Sequence, residues 1–361
     1  FGYIKKINLS KDKNEQKTDR FAIGEKIDSI INSIDSKTRM INLSIKELEI
    51  QDEKEVLSYF DTLSNWGRWG EDDQKGTLNF LTAKKTLQSV RLIKEGFTVS
   101  CARPLIFEPS PDAVGPAVHY MVESGEGWSS GDKVTSRVSQ AATDYIGMVF
   151  HGYTVTHIDS LAHFFWEGKM YNGRPAHLVS TNLGATTESV ELAGDGIVTR
   201  GILVDVPKIR GIEWLERGEG VMPEDILKAE QECGFEIAEG DVLLIRTGQY
   251  HRRNVEGPVD FREEGSTACH AACLPLFHDR NIAMLGTDTG NDVMPAPYPN
   301  VIQPIHQVGI VAMGLWILDN ANLDDLAREC DIRKQWEFSL NIGPLKLTNT
   351  TGSPVNPIAI F

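Results

Sequence analysis

His157, Asp159 and His163 stand within seven residues of one another, in the run Thr154-Val155-Thr156-His157-Ile158-Asp159-Ser160-Leu161-Ala162-His163. Neutral imidazole and carboxylate are ordinary ligands for Zn²⁺ or Mn²⁺. The run follows an apolar stretch, Tyr145 to Phe150, that reads as a buried strand. If that strand continues, Tyr153, Val155, His157 and Asp159 share one face, with His157 and Asp159 about 7 Å apart along the backbone. Side chains of these types on one rigid strand can converge on a single cation. Ser160-Leu161-Ala162 then begins a turn or helix, which folds His163 back over the same place. A lone histidine beside an apolar strand is more often a core or surface residue. Two His and one Asp at this spacing favour a site.

The elements that must position these residues alternate along the chain. Residues 1–52 are rich in Lys, Asp, Asn and Ser, with Ile27, Ile30, Ile31 and Ile34 at the spacing of one short amphipathic helix. This segment carries no evident chemistry and reads as an N-terminal extension, with the body of the protein at 53–361. Asn65-Trp66-Gly67-Arg68-Trp69-Gly70 reads as a loop whose indoles cover a pocket or simply anchor the loop. A helix over 83–94 and a strand over 97–105 follow, then a Pro-rich loop leading to His119. Tyr171-Asn172-Gly173 is a polar turn. Strands are expected at 201–206, 241–248, 282–286, 316–318 and 338–342. Helices are expected at 223–232, at 268–279 and at 322–330, the last with Asn320 or Asn322 as its N-cap. A Pro-rich loop delivers His306 to the start of another helix. Short strands alternating with helices indicate an α/β class.

Composition narrows the function. A net charge of −15 argues against a nucleic-acid or anionic-membrane partner, since phosphate binding needs a basic footprint. The five cysteines, at 101, 233, 269, 273 and 330, are odd in number and scattered, which suits neither a disulfide framework nor a zinc ribbon. Cys269 and Cys273 read as small residues on a helix face. No apolar run approaches the length of a membrane span. The chain begins at Phe1, which leaves room for a processed leader, and the default location is cytoplasmic. The sequence has no Walker loop, no Gly-rich dinucleotide fingerprint, no His-Glu-x-x-His and no Gly-x-Ser-x-Gly.

Thr156-His157-x-Asp159-x-x-x-His163 resembles the H-x-G-T-H-x-D-x-P-x-H signature of the metal-dependent cyclase family, which includes kynurenine formamidase and isatin hydrolase. The resemblance spans most of residues 65–361. It takes in the Asn-Trp-Gly-Arg-Trp-Gly loop, the Tyr-Asn-Gly turn, Arg246-Thr247-Gly248, Pro304-Ile305-His306 and the closing Thr351-Gly352-Ser353-Pro354-Val355-Asn356-Pro357.

The resemblance implies an α/β swivelling β/β/α fold around a mixed, barrel-like sheet, in homodimers or homotetramers. It implies one or two divalent cations, commonly zinc or manganese, and a metal-activated water that opens an amide, lactam or ester bond of a small molecule. By position, His157, Asp159, His306 and Asp319 are the expected metal ligands and His163 the general acid/base. Trp66, Trp69 and His119 are candidates for the pocket wall, with core packing as the alternative. Two positions depart from the signature: its first His falls on Tyr153 and its Gly on Val155. A phenolate ligand is costly at neutral pH. On a straight strand His151 lies about 20 Å from His157 and could substitute only if the backbone bends at Gly152. One metal per chain is therefore expected, with Tyr153 free to donate a hydrogen bond to a developing oxyanion. Two other readings stay open: a ring-forming or dehydrating cyclase using the same site, and a binding protein in which catalysis is lost at Tyr153.

Overall fold

A computed structural model describes residues 1–113, 115–129 and 139–361. Its core is a curled nine-stranded sheet, a half-barrel with helices packed against it. The strand order is Gly352–Pro354, His157–Asp159, Trp316–Asp319, Met284–Thr287, Val242–Arg246, Ile197–Asp205, Glu337–Ile342, Ile358–Ile360 and Thr98–Ser100. The four central strands, from Trp316–Asp319 to Ile197–Asp205, are mutually parallel, and every pairing outside them is antiparallel. Central parallel strands are covered on both faces and so read as unbroken apolar runs. Val242, Leu243, Leu244 and Ile245 are all fully buried. The mixed, barrel-like α/β architecture expected from the resemblance is the one observed.

The expected strands and helices of the body lie close to their observed places, with Ala83–Val90, Pro223–Cys233 and Asp324–Arg333 helical. The last is preceded by Asn322, whose side chain accepts from the Asp324 amide at 3.2 Å. Three expectations fail. Ile30–Asp35 is a strand, not part of a helix; it pairs with Met40–Ser44 in a three-stranded sheet with Gly2–Ile4. The helix nearby is Ile45–Thr62 instead, capped by the Ser44 hydroxyl accepting from the Glu47 amide, and it runs straight through positions 52 and 53. At 268–279, only Leu274–Asp279 is α-helical, with Ala268–Cys269 extended. The apolar run at 145–150 is no buried strand either. Thr143–Gly147 is largely exposed and, among the described residues, pairs only with Val118–Glu123, and the chain is irregular from there to His157. Hydrophobicity alone does not separate a core strand from an apolar edge awaiting a partner.

The tryptophan loop is structural. Asn172, at φ 56°, accepts from the Gly67 amide and donates to the carbonyls of Gly70, Glu71 and Asp73. Asn65 and Trp66 in turn donate to the carbonyls of Met313 and Val311, at the end of the π-helical stretch Gln307–Met313 that follows His306. These carbonyls would otherwise be orphans. Under the same loop Arg174 meets Glu188 at 3.2 Å, yet Glu188 Oε2 is buried without a partner. Burial pushes the Glu188 carboxyl up to about 8, against the pull of Arg174 and with Asp73 adding to the rise. The five cysteines are free, and no helix among the described residues is long and apolar enough to cross a membrane.

A carboxyl raised in the folded state binds more protons there than in the unfolded chain between the two pKa values, so its contribution to stability falls as pH rises through that window. Glu188→Gln should therefore gain thermal stability relative to wild type as pH is raised from 5 to 8. A melting-temperature difference that stays flat over this range would show Glu188 ionised throughout as the partner of Arg174.

Candidate metal centre

The site is built where the His157–Asp159 strand lies between two antiparallel neighbours. Register sets Asp319 directly across from His157 and Ile317 across from Asp159, with Gly352 opposite Asp159 on the other side. Directly opposed residues are close enough for their side chains to meet. The Nε2 of His157 lies 3.4 Å from Asp159 Oδ1 and 3.7 Å from Asp319 Oδ2. From the helix start, His306 brings its Nε2 to 3.4 Å from Asp159 Oδ2 and 3.6 Å from Asp319 Oδ2. All four expected ligands, His157, Asp159, His306 and Asp319, are together, and all are buried.

His151 joins them, by the bend at Gly152 on which its reach was expected to depend. Gly152 has φ 148°, a conformation L residues rarely adopt, and the chain doubles back there instead of running straight. The His151 and His157 rings are 5.1 Å apart and perpendicular, against the ~20 Å of an extended path. His151 Nδ1 lies 3.0 Å from Asp159 Oδ1, while its Nε2 is paired with Thr351 Oγ1 at 2.9 Å. Gly352 makes room: a Cβ there would stand 2.3 Å from the Ile158 carbonyl and 3.0 Å from the His151 ring. Tyr153, in the signature's first-histidine position, lies beside Asp319. Its ring borders Gly290 beside Asp319 Oδ2 and packs 5.0 Å from Phe261. Burial raises the Tyr153 phenol above its ordinary value, with Arg262 opposing and Asp319 assisting, which keeps it a donor.

Two donor sets result, His151 with His157 and Asp159, and Asp159 with His306 and Asp319; within each the ligand atoms lie within 4.8 Å of one another. Asp159 belongs to both. Its two oxygens are buried, and although imidazole nitrogens stand 3.0 to 3.9 Å away, none is aligned as a hydrogen bond; His151 Nδ1, at 3.0 Å, is likewise unsatisfied. An ionised carboxylate taken out of water costs several kcal/mol, roughly, unless it is compensated. Burial pushes the Asp159 pKa up, yet the surrounding His163, His151 and His157 hold it well below the usual carboxylate range. Acceptors that are charged, buried and unpartnered, flanked by imidazoles, fit a divalent cation.

Outer contacts fix the ligands. His306 Nδ1 lies 2.5 Å from Asp292 Oδ2, and Asp292 also accepts from the Ile305 and His306 amides. His157 Nδ1 donates to the Val155 carbonyl at 2.8 Å. Each ring thus turns Nε2 inward. Asn291 donates to Asp319 Oδ1 at 2.6 Å. Arg103, half-buried, donates to the carbonyls of Tyr153 and Asp288 and so braces the irregular segment before the strand. Asn291, Asp292 and Arg103 escape a reading of ligand spacing; the polar run Thr287-Asp288-Thr289-Gly290-Asn291-Asp292, buried almost throughout, marks the first two, and nothing comparable marks Arg103.

His163 stacks on His151 at 3.7 Å between centroids, with its Nε2 3.9 Å from Asp159 Oδ1. Burial pulls its pKa down to about 4, opposed by Asp159 and reinforced by the neighbouring histidines, so the ring is neutral at pH 7. Trp66, Trp69 and His119 make their contacts elsewhere. Trp69 packs edge-on against Phe80, Trp66 faces a separate cleft with Phe60 and Trp166, and His119 pairs with Asp144 on the exposed two-stranded ribbon.

With this geometry in view, the relatives are informative. Residues 81–291 match the family model described as "Putative cyclase". The fold superposes on the crystal structure of a novel cyclase with a TM-score of 0.74 and 28% identity, covering 83% of this chain and 100% of that one. It also superposes on isatin hydrolase A from Labrenzia aggregata, bound to benzyl benzoate, with a TM-score of 0.51 and 21% identity, covering 77% and 98%. Isatin hydrolase A from Ralstonia solanacearum gives a TM-score of 0.51 at 18% identity, covering 77% and 97%. A different likeness covers 69 residues, 38% identical to the small ribosomal subunit protein bS1 of Rhodopseudomonas palustris; this is 19% of the present chain, which spans about an eighth (12%) of that relative. The family model covers more than half of the chain, and the chain belongs to the cyclase family.

If Asp292 orients His306, Asp292→Asn should weaken zinc binding by about 10- to 100-fold, measured by competition with a chromophoric chelator. Asn keeps one oxygen for the shorter of the two amide contacts, from Ile305, so the melting temperature should change little. Unchanged affinity would assign Asp292 to capping alone.

Proposed function

We propose that the protein is a metal-dependent hydrolase that opens an amide, lactam or ester bond of a small cyclic or acyl substrate, with two divalent cations, Zn²⁺ or Mn²⁺, sharing Asp159. The observation that carries this reading is Asp159 itself, buried with both oxygens unpartnered between two donor sets. His151, His157 and Asp159 would hold one cation; Asp159, His306 and Asp319 the other. Such a pair, when bound, supplies Lewis acidity and water of near-neutral pKa. In place of the single cation expected from Tyr153 at the first-histidine position, the placement of His151 beside His157 and Asp159 supports a second donor set.

The chain's own residues then have distinct parts. His163, neutral at pH 7, accepts the proton of the attacking water on its imidazole and returns it to the leaving nitrogen or oxygen. Its stack on His151 fixes the plane in which it does so. Tyr153, kept protonated, donates to the oxygen that gains charge as the carbonyl is attacked. Phe164, 4.8 Å from His306, and Phe261, beside Tyr153, present aromatic surfaces on two sides of the cluster. Such walls suit a planar, largely apolar ring, and they exclude water from the reacting bond.

A screen of aromatic lactams, lactones and acyl-amides should find hydrolysis that is abolished by chelation and restored by zinc or manganese. On the best substrate, Tyr153→Phe should lower kcat by about 100-fold with little change in KM, because a donor aimed at the transition state is lost. Hydrolysis that survives complete metal removal would contradict the reading, and an unchanged kcat would remove Tyr153 from the reaction.

A further inference from the structure

A cleft of about 500 Å³ is lined both by the helix Ile45–Thr62 and by the body of the protein, and none of its lining residues belongs to either donor set of the metal centre. The helix contributes Leu57, Phe60 and Asp61, whose spacing places them on one face. Phe60 stacks on Trp166, with ring centroids 4.2 Å apart and planes 12° from parallel. Trp66 is 39% exposed, yet its indole is fixed by the 2.7 Å bond from Nε1 to the Val311 carbonyl. Aromatic surface held rigid in this way loses little freedom when a ligand covers it.

Three charged side chains complete the lining, Asp61, Glu167 and Lys169, and all three residues are exposed. Among the described residues, none of the three makes an ion pair or a side-chain hydrogen bond. Trp166 and Lys169 exchange two backbone hydrogen bonds of 2.9 Å, and Glu167 and Gly168, at φ 47° and 73°, make the two-residue turn between them. Such a turn favours Asn-Gly, and Glu at its first position is uncommon. Here it brings a second carboxylate to the cleft.

We propose that this cleft binds a small zwitterion with a flat apolar group, of the aromatic amino acid class, at a site separate from the one that binds substrate. The ring lies against Trp66 and the Phe60–Trp166 pair, the ammonium faces Asp61 and Glu167, and the carboxylate faces Lys169. Carboxylates and indole faces together attract a cation. Lys169 repels a simple amine and pairs only with an anion, so a ligand carrying both charges is the one that answers the whole lining. The cleft also reaches the element that bears a metal ligand. Val311 and Ala312 line it from the π-helical stretch after His306, and Trp166 follows two residues after Phe164, which packs 4.8 Å from the His306 ring.

The test is isothermal titration of the full chain with phenylalanine, beside phenethylamine and 3-phenylpropionate, which lack the carboxylate and the ammonium respectively. One phenylalanine per chain is expected, with each analogue about tenfold weaker, because each loses a charge-assisted hydrogen bond. Lys169→Met, at an exposed position, should keep the circular dichroism spectrum and abolish the preference for phenylalanine over phenethylamine. Phenylalanine should bind equally well after chelation of the metals. No saturable binding, analogues that match phenylalanine, or a variant that keeps the wild-type preference overturns the proposal. Binding lost on chelation from a chain whose circular dichroism is unchanged also overturns it, assigning the ligand to the metal centre.

Discussion

The constraint on which the centre depends is a single buried carboxylate. Asp159 lies on the middle strand of an antiparallel triplet, removed from water, and neither oxygen has a hydrogen-bond partner. Four histidines stand around it, and each neighbouring element supplies one donor or orients one. A group of this kind is tolerated in a folded protein only when positive charge compensates it. The local architecture follows from meeting that requirement. Gly152 turns the chain so that His151 returns to the cluster, Gly352 lets the closing strand pass beside the His151 ring, and Asn291 and Asp292 hold Asp319 and His306 in orientation.

The half-barrel supplies rigidity, and its connections supply the chemistry. His157, Asp159 and Asp319 sit on strands whose register places them face to face, so their separation is set by the sheet and not by a loop. His306 comes instead from the start of a helix. That helix passes into the π-helical stretch, whose last carbonyls are satisfied from the tryptophan loop, and the loop is held in turn by Asn172. The motifs at 65–70 and 171–173 thus serve the site at a distance, by fixing the element that bears one ligand.

Much of this was legible in the sequence. The long apolar runs at 201–206 and 241–248 mark strands buried on both faces, and the His-x-Asp spacing marks the centre. What was not legible has physical reasons. The reach of His151 depends on one backbone bend at Gly152, and spacing along an assumed straight strand places the residue far away. The run at 145–150 has the composition of a core strand, but its first residues lie on an exposed two-stranded ribbon, because hydrophobicity alone does not set burial. The isoleucines at 27–34 fit a helical period, yet Ile30–Asp35 pairs with Met40–Ser44, a contact that no short window contains. Asn291 and Asp292 act through other residues, so ligand spacing passes over them.

The central claim is that Asp159 joins two cation-binding donor sets. It is tested most directly by counting bound zinc or manganese per chain by elemental mass spectrometry, in wild type and in Asp159→Asn, after equilibration with each metal. The account predicts two per chain in wild type and loss of both in the variant, because both sets use this carboxylate. No metal in wild type, or full occupancy retained without the Asp159 charge, would contradict it.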